Sequence, residues 1–276
     1  MRAMDIEYSV EEEIAWITLD RPARRNALRI PESMDALSEM LADAEQRSDV
    51  RVVVISGGSG PAFCSGFDLA EEGAWAESDS AWLHMARNDA KVFLELWDLT
   101  KPSISVVNGP AVGAGVSLAL VPDITICAET AWFAEPEVRH VALAPMLLLP
   151  LLGAGKVAQM FYLTGERLSA QEAKAAGLVN IVAPVGEIED VARKVAASLL
   201  KVPPLGVELA KASLHTAYDI MGFRAIAGSH LMADAFALAS VTEEKSRLRE
   251  AFVTKGVQGF FHARDSLVDG EDRKED

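Results

Sequence analysis

A chain of 276 residues is long enough for one large domain, or a domain with a smaller appendage. Half of it is hydrophobic and its mean hydropathy is +0.15, so a sizeable core can be buried. A net charge of −15 and a pI near 4.8 argue against nucleic-acid binding, which favours a basic face, while an anionic ligand can still be held by a local Arg or Lys.

Two cysteines with no further Cys or His at ligand spacing suggest neither a disulfide framework nor a metal site. The amino terminus, MRAMDIEYSVEEE, lacks an apolar signal region, and no stretch approaches the roughly 18 uncharged apolar residues of a membrane span. The expectation is a soluble cytoplasmic protein with no membrane association and no nucleic-acid partner.

Residues 6–8 and 14–19 alternate around the acidic turn 11–13 and predict an edge hairpin. Met34, Leu37, Met40, Leu41 and Ala44 recur at helical spacing within 31–46. Residues 52–55 make a short, uninterrupted apolar strand. Residues 71–99 carry Trp75, Trp82, Leu83, Ala86, Phe93 and Trp97 and predict a helix after a polar start. Further strands are expected at 103–107, 124–127 and 179–182, separated by helices. That alternation argues for an α/β protein with a largely parallel sheet.

Residues 157–163 read as helix, SAQE at 169–172 as a capping box, and Gly177 as the stop of the helix that follows. From 188 to 261 almost everything reads as helix, interrupted by Pro203-Pro204, and the charged tail 269–276 as a frayed end. The expected division is therefore a core over 1–187 and a helical region over 188–276.

Two passages share one local grammar. Residues 101–117, KPSISVVNGPAVGAGVS, run from a β-rich strand through Asn108-Gly109 and Gly113-Ala114-Gly115 into a helix. Earlier, the strand 52–55 meets Gly57-Gly58-Ser59-Gly60 and then PAFCSGFDL. A helix that starts on small residues leaves its first N–H groups unpaired and open to negative charge. Two such loops are able to give one N–H each to a single developing oxyanion.

Taken in order, LDRPARRNAL (19–28), AFCSGFDL (62–69), KPSISVVNGPAVGAG (101–115), PDITICAE (122–129), EPEV (135–138) and LTGERLSAQEAKAAGLVNIVAP (163–184) resemble the enoyl-CoA hydratase/isomerase, or crotonase, superfamily. The resemblance implies an α/β fold, a crotonase-like spiral of ββα units with a helical C-terminal trimerisation region, assembled as a homotrimer or a dimer of trimers. It implies an acyl-CoA substrate, coenzyme A entering as part of that substrate, and no separate cofactor.

By the same resemblance, the backbone N–H groups of Phe67 and Ala114 form the oxyanion hole and Glu137 is the acid/base. In WFAEPEV, Pro136 fixes the backbone between two carboxylates flanked by apolar residues, a setting in which desolvation raises a carboxyl pKa. Glu137 is expected to feel that shift, and Glu135 to be structural or exposed. Many hydratases of the family carry a second glutamate twenty positions before the one matching Glu137; here that position is Ser117, whose hydroxyl is suited to holding water rather than acting as a base.

For coenzyme A, the resemblance implicates Arg25 ahead of Arg24, with Ala27, Leu28, Ser65, Asp68 and Leu69. The segment 140–155, HVALAPMLLLPLLGAG, departs from the family's longer glycine-rich loop beside the acyl pocket. GFFHARD (259–265) is similar to the segment that reaches a neighbour's coenzyme A in relatives.

Other chemistries lack support. GPAVGAG has Leu118 where a dinucleotide loop needs its third glycine, no P-loop or G-x-S-x-G elbow occurs, and His140 alone of five histidines falls near the proposed site, where it is expected to satisfy a loop. The implied activity is hydration–dehydration of a 2-enoyl-CoA through a stabilised enolate. The alternatives are a double-bond isomerase or an aryl-acyl-CoA hydratase-lyase using one glutamate, and a catalytically silent acyl-CoA binder.

Overall fold

The computed structural model describes residues 2–3, 5–70, 79–153 and 155–269. Its strands are β1 (Arg2–Ala3), β2 (Ile6–Glu11), β3 (Ile14–Leu19), β4 (Val52–Ser56), β5 (Ser103–Val107), β6 (Ala111–Val112), β7 (Ile124–Ala128), β8 (Trp132–Ala134), β9 (Leu168–Ser169) and β10 (Ile181–Ala183). Its helices are α1 (Glu32–Gln46), α2 (Asp79–Asp98), α3 (Ala114–Leu120), α4 (Gly155–Thr164), α5 (Ala170–Ala175), α6 (Ile188–Leu200), α7 (Pro204–Ile220), α8 (Phe223–Ala239) and α9 (Glu243–Asp269).

A seven-stranded sheet in the order β1-β2-β3-β4-β5-β7-β10 is antiparallel at its first edge and parallel from β3 onward. The β2–β3 hairpin turns on Glu12 and Glu13, both in the left-handed region, as a two-residue turn of matching twist requires. Strands β4 and β5 are buried along nearly their whole length because helices cover both faces, which is why they read as unbroken apolar runs. Tyr8 bonds Asp43 of α1 on one face (2.7 Å), while Arg193 of α6 lies over the Trp16 ring on the other (4.6 Å).

A second sheet, β6-β8-β9, is extended by a bridge from Cys64 to Ala111. The chain thus repeats one unit: a strand in the large sheet, a short strand or bridge in the small one, then a helix, as in β5–β6–α3 and β7–β8–α4. Repetition of this unit makes the expected spiral. The small sheet's strands span two or three residues, too few for any periodicity to show.

The capping box is present: Ser169 accepts the Glu172 N–H, and Glu172 Oε2 accepts the Ser169 N–H at 2.9 Å. The strand expected at 179–182 begins instead at Ile181, because Asn180 turns its side chain back to accept the Thr125 N–H at 2.8 Å. The helix expected from 71 onward is described from Asp79; Trp75, the side chains of Trp82 and Leu83, and residues 270–276 lie outside the described residues.

From residue 188 to 269 the chain is helical, with breaks at 201–203, 221–222 and 240–242, and α9 bends at Gly256. Helix α6 packs on β4, β5, β7 and β10, so it covers the sheet, while α8 packs on α2 and α9 on the Pro136–His140 turn. Asp123 anchors α7, accepting from the buried Lys211 Nζ (2.7 Å) and the Ser103 N–H (2.7 Å). Among the described residues no single helix is long and apolar enough to cross a membrane.

Candidate active site

The site begins with the loop after β4. Asn26, buried and left-handed, donates from Nδ2 to the carbonyls of Gly57 (2.9 Å), Ala62 (3.1 Å) and Phe63 (3.0 Å), and its Oδ1 accepts the Arg21 N–H (2.9 Å). This one side chain ties RPARRNAL to the first glycine loop. Leu28 then pairs with Phe67 as a short parallel bridge, donating its N–H to the Gly66 carbonyl and accepting the Asp68 N–H, each at 2.8 Å. Amides alternate in direction along an extended strand, so the Phe67 N–H faces away from that bridge. No acceptor among the described residues takes it.

The second donor comes from α3. Gly113 caps this helix, giving its N–H to the Ala134 carbonyl (2.9 Å) and accepting the Val116 N–H (2.8 Å). The Ala114 N–H heads the helix and likewise has no acceptor among the described residues. Gly66 has φ +88, and a Cβ there would stand 2.9 Å from the Val112 carbonyl and 3.6 Å from the Ala114 nitrogen. The two donors therefore come from segments in direct apposition, joined also by the Val112 N–H to the Cys64 carbonyl (2.9 Å).

Glu137 sits in a short helical turn, Pro136–His140, and lays its carboxyl against Gly113: a Cβ on that glycine would overlap Oε1 and stand 3.0 Å from Cδ. Ser117 lies one turn further along α3. It is 0% exposed, and its hydroxyl has no hydrogen-bond partner among the described residues. The structure thus gathers Phe67, Ala114, Glu137 and Ser117 around the first turn of α3.

Its neighbour Glu135 needs correcting as an exposed residue: it is 3% exposed, and burial, with the Glu137 charge adding to it, holds its carboxyl well above the usual range. Glu137 is half-buried as a residue, with its Oε2 atom buried. His140 is pushed down to about 3 by burial and by the charges of Arg264 and Lys245, against which a hydrogen bond with the Pro136 backbone acts, so the ring is neutral.

The residues implicated in coenzyme A binding divide into two groups. Arg25 is exposed and left-handed, and no described acceptor takes its guanidinium. Arg24 is tied to Asp68 at 3.2 Å, and Asp68, 6% exposed, also receives Arg21 at 2.7 Å. Burial alone would raise the Asp68 carboxyl; the Ala70 N–H and the two arginines outweigh it and hold it below its ordinary value. The Asp68 carboxylate is thus a clamp between loops. Ser65 gives its N–H to the Arg25 carbonyl (3.0 Å), Ala27 and Leu28 are buried, and Leu69 is half-buried.

The segment 141–153 is pinned from two sides. The Tyr162 hydroxyl of α4 accepts the Leu148 N–H (3.1 Å), and Asp234 of α8 accepts the Leu143 N–H (2.9 Å). The tail helix folds onto its own chain: the Phe260 ring meets His140 edge-on at 5.4 Å, and Arg264 bonds Asp265 at 2.8 Å. A cleft of about 500 Å³, lined by Trp16, Thr18, Ser56, Asn108 and Arg193, lies on the α6 side of the sheet and shares none of these site residues.

Sequence reasoning missed the Asn26 hub and the Arg21–Asp68 clamp, whose partners lie 31 to 47 positions away. The one local signal was an asparagine inside a loop, a residue that tolerates the left-handed region.

The chain matches the family model for enoyl-CoA hydratase/isomerase over residues 9–266. It is 31% identical over 260 residues to the (E)-benzylidenesuccinyl-CoA hydratase of Thauera aromatica, spanning 93% of this chain and 99% of that protein. It is 36% identical over 202 residues to the carnitinyl-CoA dehydratase of Salmonella enteritidis PT4, spanning 72% of this chain and 75% of that one. The crystal structure of an enoyl-CoA hydratase/isomerase from Xanthobacter autotrophicus Py2 superposes with a TM-score of 0.91 at 30% identity, covering 96% of this chain and 99% of that chain. The spiral fold is shared, and the chain belongs to the enoyl-CoA hydratase/isomerase family.

Proposed function

We propose that this protein is an enoyl-CoA hydratase acting on a 2-enoyl thioester, with Glu137 as its acid/base. The observation that carries the reading is the Glu137 carboxyl against Gly113, beside two N–H groups with no acceptor of their own. The thioester oxygen accepts from Phe67 and Ala114, and those donors stabilise the charge that grows there as the enolate forms. Water adds its hydroxyl to Cβ and its proton passes to Glu137, which returns a proton to Cα. One carboxylate closes this cycle in both directions, and the buried Ser117 hydroxyl, which needs a partner, holds the water. Two relatives named as a hydratase and a dehydratase support this direction of chemistry. A panel of 2-enoyl-CoA esters followed by mass spectrometry tests it: a water adduct is expected, and no change in any thioester overturns it.

Ser117, standing where many hydratases carry a glutamate, favours a second reading, double-bond isomerisation by Glu137 alone. A product of unchanged mass with a moved double bond identifies it. An acyl-CoA binder without turnover is the remaining alternative. A cytoplasmic location and the lack of any cofactor beyond the substrate's own coenzyme A go with the hydratase reading as proposals.

Arg25 is proposed as the phosphate contact because its guanidinium is exposed and uncommitted, whereas Arg24 is engaged by Asp68. Calorimetry with acetyl-CoA is expected to show Arg25→Ala weakening binding roughly fivefold, the worth of a solvent-exposed charge contact. Arg24→Ala is expected to lower the melting temperature instead. No binding to the wild type at millimolar ligand overturns the acyl-CoA reading itself.

Assembly as a trimer or a dimer of trimers is proposed from the exposed apolar side chains of α7, α8 and α9. Leu205, Leu209, Ile220, Met232, Phe236 and Val253 are exposed there, with Ile220 at 82% and Phe236 at 79%. A single subunit leaves too much apolar surface in water for a stable monomer. Light scattering is expected to report three or six copies of the 29.7 kDa chain; a monomer at micromolar concentration contradicts this.

A further inference from the structure

Two carboxyls flank Pro136, and the activity described above uses one of them. Glu135 follows directly on β8, whose last carbonyl, at Ala134, accepts the N–H of Gly113, the residue against which Glu137 lies. Residues 134–137 thus wrap around the start of α3, with Glu135 buried and Glu137 half-buried. Glu135 makes no ion pair with any described residue, and its Oε1 is buried with no donor within reach. An ionised carboxylate so placed has no counter-charge and, at Oε1, neither water nor a donor, which is costly.

The groups around it offer no rescue. Tyr162, facing from α4, is itself held well above its usual range by burial and by the Glu135 charge. Arg139, on the same turn, gives its Nε to the Thr164 carbonyl at 2.8 Å. Arg167, ahead of β9, lies over the Trp132 ring at 4.0 Å. Lys245 and Arg264 of α9 act on His140. Two neighbouring carboxyls that repel one another share a single negative charge, and Glu137, the less buried residue, carries it.

We propose that Glu135 is a positioning residue for Glu137: a neutral carboxyl, buried behind the acid/base, that keeps the pair at one negative charge and sets the upper pH limit of its action. The proposal rests on the reading of Glu137 as the acid/base. When Glu135 ionises, a second negative charge stands beside Glu137 and the forming enolate. That charge opposes both the enolate and the ionised state of Glu137, so turnover falls with rising pH.

The test has two arms. Carbon-13 NMR of protein labelled at the glutamate carboxyl reads the pair without turnover, with the two signals assigned through Glu135→Gln and Glu137→Gln. Glu135 is expected to keep the signal of a protonated carboxyl through neutral pH, and Glu137→Gln to move its titration to lower pH by removing the like charge. Titration of Glu135 near the ordinary value of about 4.3 overturns the proposal. This arm decides even when no substrate is turned over, so it separates failure of the proposal from failure of the hydratase reading.

The second arm is the pH profile of kcat. The wild type is expected to lose roughly tenfold per pH unit above the Glu135 ionisation, and Glu135→Gln to lose that limb, whatever the height of its plateau. A packing role alone changes the plateau and leaves the limb where it was. An unmoved limb in folded Glu135→Gln overturns the proposal. Should that variant not fold, the wild-type and Glu137→Gln titrations decide.

Discussion

Glu137→Gln is expected to lower turnover by roughly 10²–10⁴-fold, the usual contribution of a general acid/base, while affinity for the CoA thioester changes little. Glutamine keeps the shape and one hydrogen-bonding oxygen of the side chain, so the contact with Gly113 is preserved and only proton exchange is removed. The Phe67 and Ala114 N–H groups still receive the thioester oxygen, so binding is retained. The assay that isolates this step is deuterium incorporation from solvent at Cα of a bound saturated acyl-CoA, which needs the base and the oxyanion donors and no particular acyl chain. Ser117→Ala is expected to cost less and to spare that exchange, because its hydroxyl serves the water alone. Equal exchange in the wild type and Glu137→Gln would make the glutamate structural and remove the enzyme reading.

What the sequence made legible, and what it hid, divides along a physical line. Strands β4, β5 and β7 were legible because burial on both faces requires unbroken apolar runs. The capping box at Ser169 and the stop at Gly177 were legible because each is decided within a few residues. The two loops after β4 and β5 were legible as glycine patterns, although nothing local says that Gly66 stands against Val112. That apposition depends on Asn26, which reaches carbonyls 31 to 37 positions away. The Asp68 carboxylate is likewise held from a distance, by Arg21 and Arg24.

The pair around Pro136 is the sharpest case. Two glutamates in EPE have the same neighbours in sequence, and only the direction of the turn after β8 decides which is buried. The Glu135 carboxyl is buried outright and held well above its ordinary range, while the Pro136–His140 turn points residue 137 back to α3.

Gly113→Ala is expected to reduce turnover at least as far as the lower end of the Glu137→Gln range, without any change to a titratable group. Two effects act together. Gly113 has φ +56 and ψ −121, a conformation that an L side chain rarely adopts, so alanine there is strained by about 1–3 kcal/mol. Its Cβ also falls on Glu137 Oε1, and the side chain has to swing away to make room. The backbone is held by the bonds to Ala134 and Val116, so the flexible carboxyl yields first, and the acid/base leaves its place beside the Ala114 N–H. A displaced glutamate loses the general acid/base contribution of roughly 10²–10⁴-fold even though it is still present and ionisable. Gly228→Ala, at a helical glycine with nothing within 4 Å of the added carbon, is the control and is expected to leave turnover unchanged. Steady-state kinetics with a 2-enoyl-CoA, run well below the melting temperature of each variant, checks this. Near-wild-type turnover in folded Gly113→Ala would mean that the reactive carboxylate is not the one resting on Gly113.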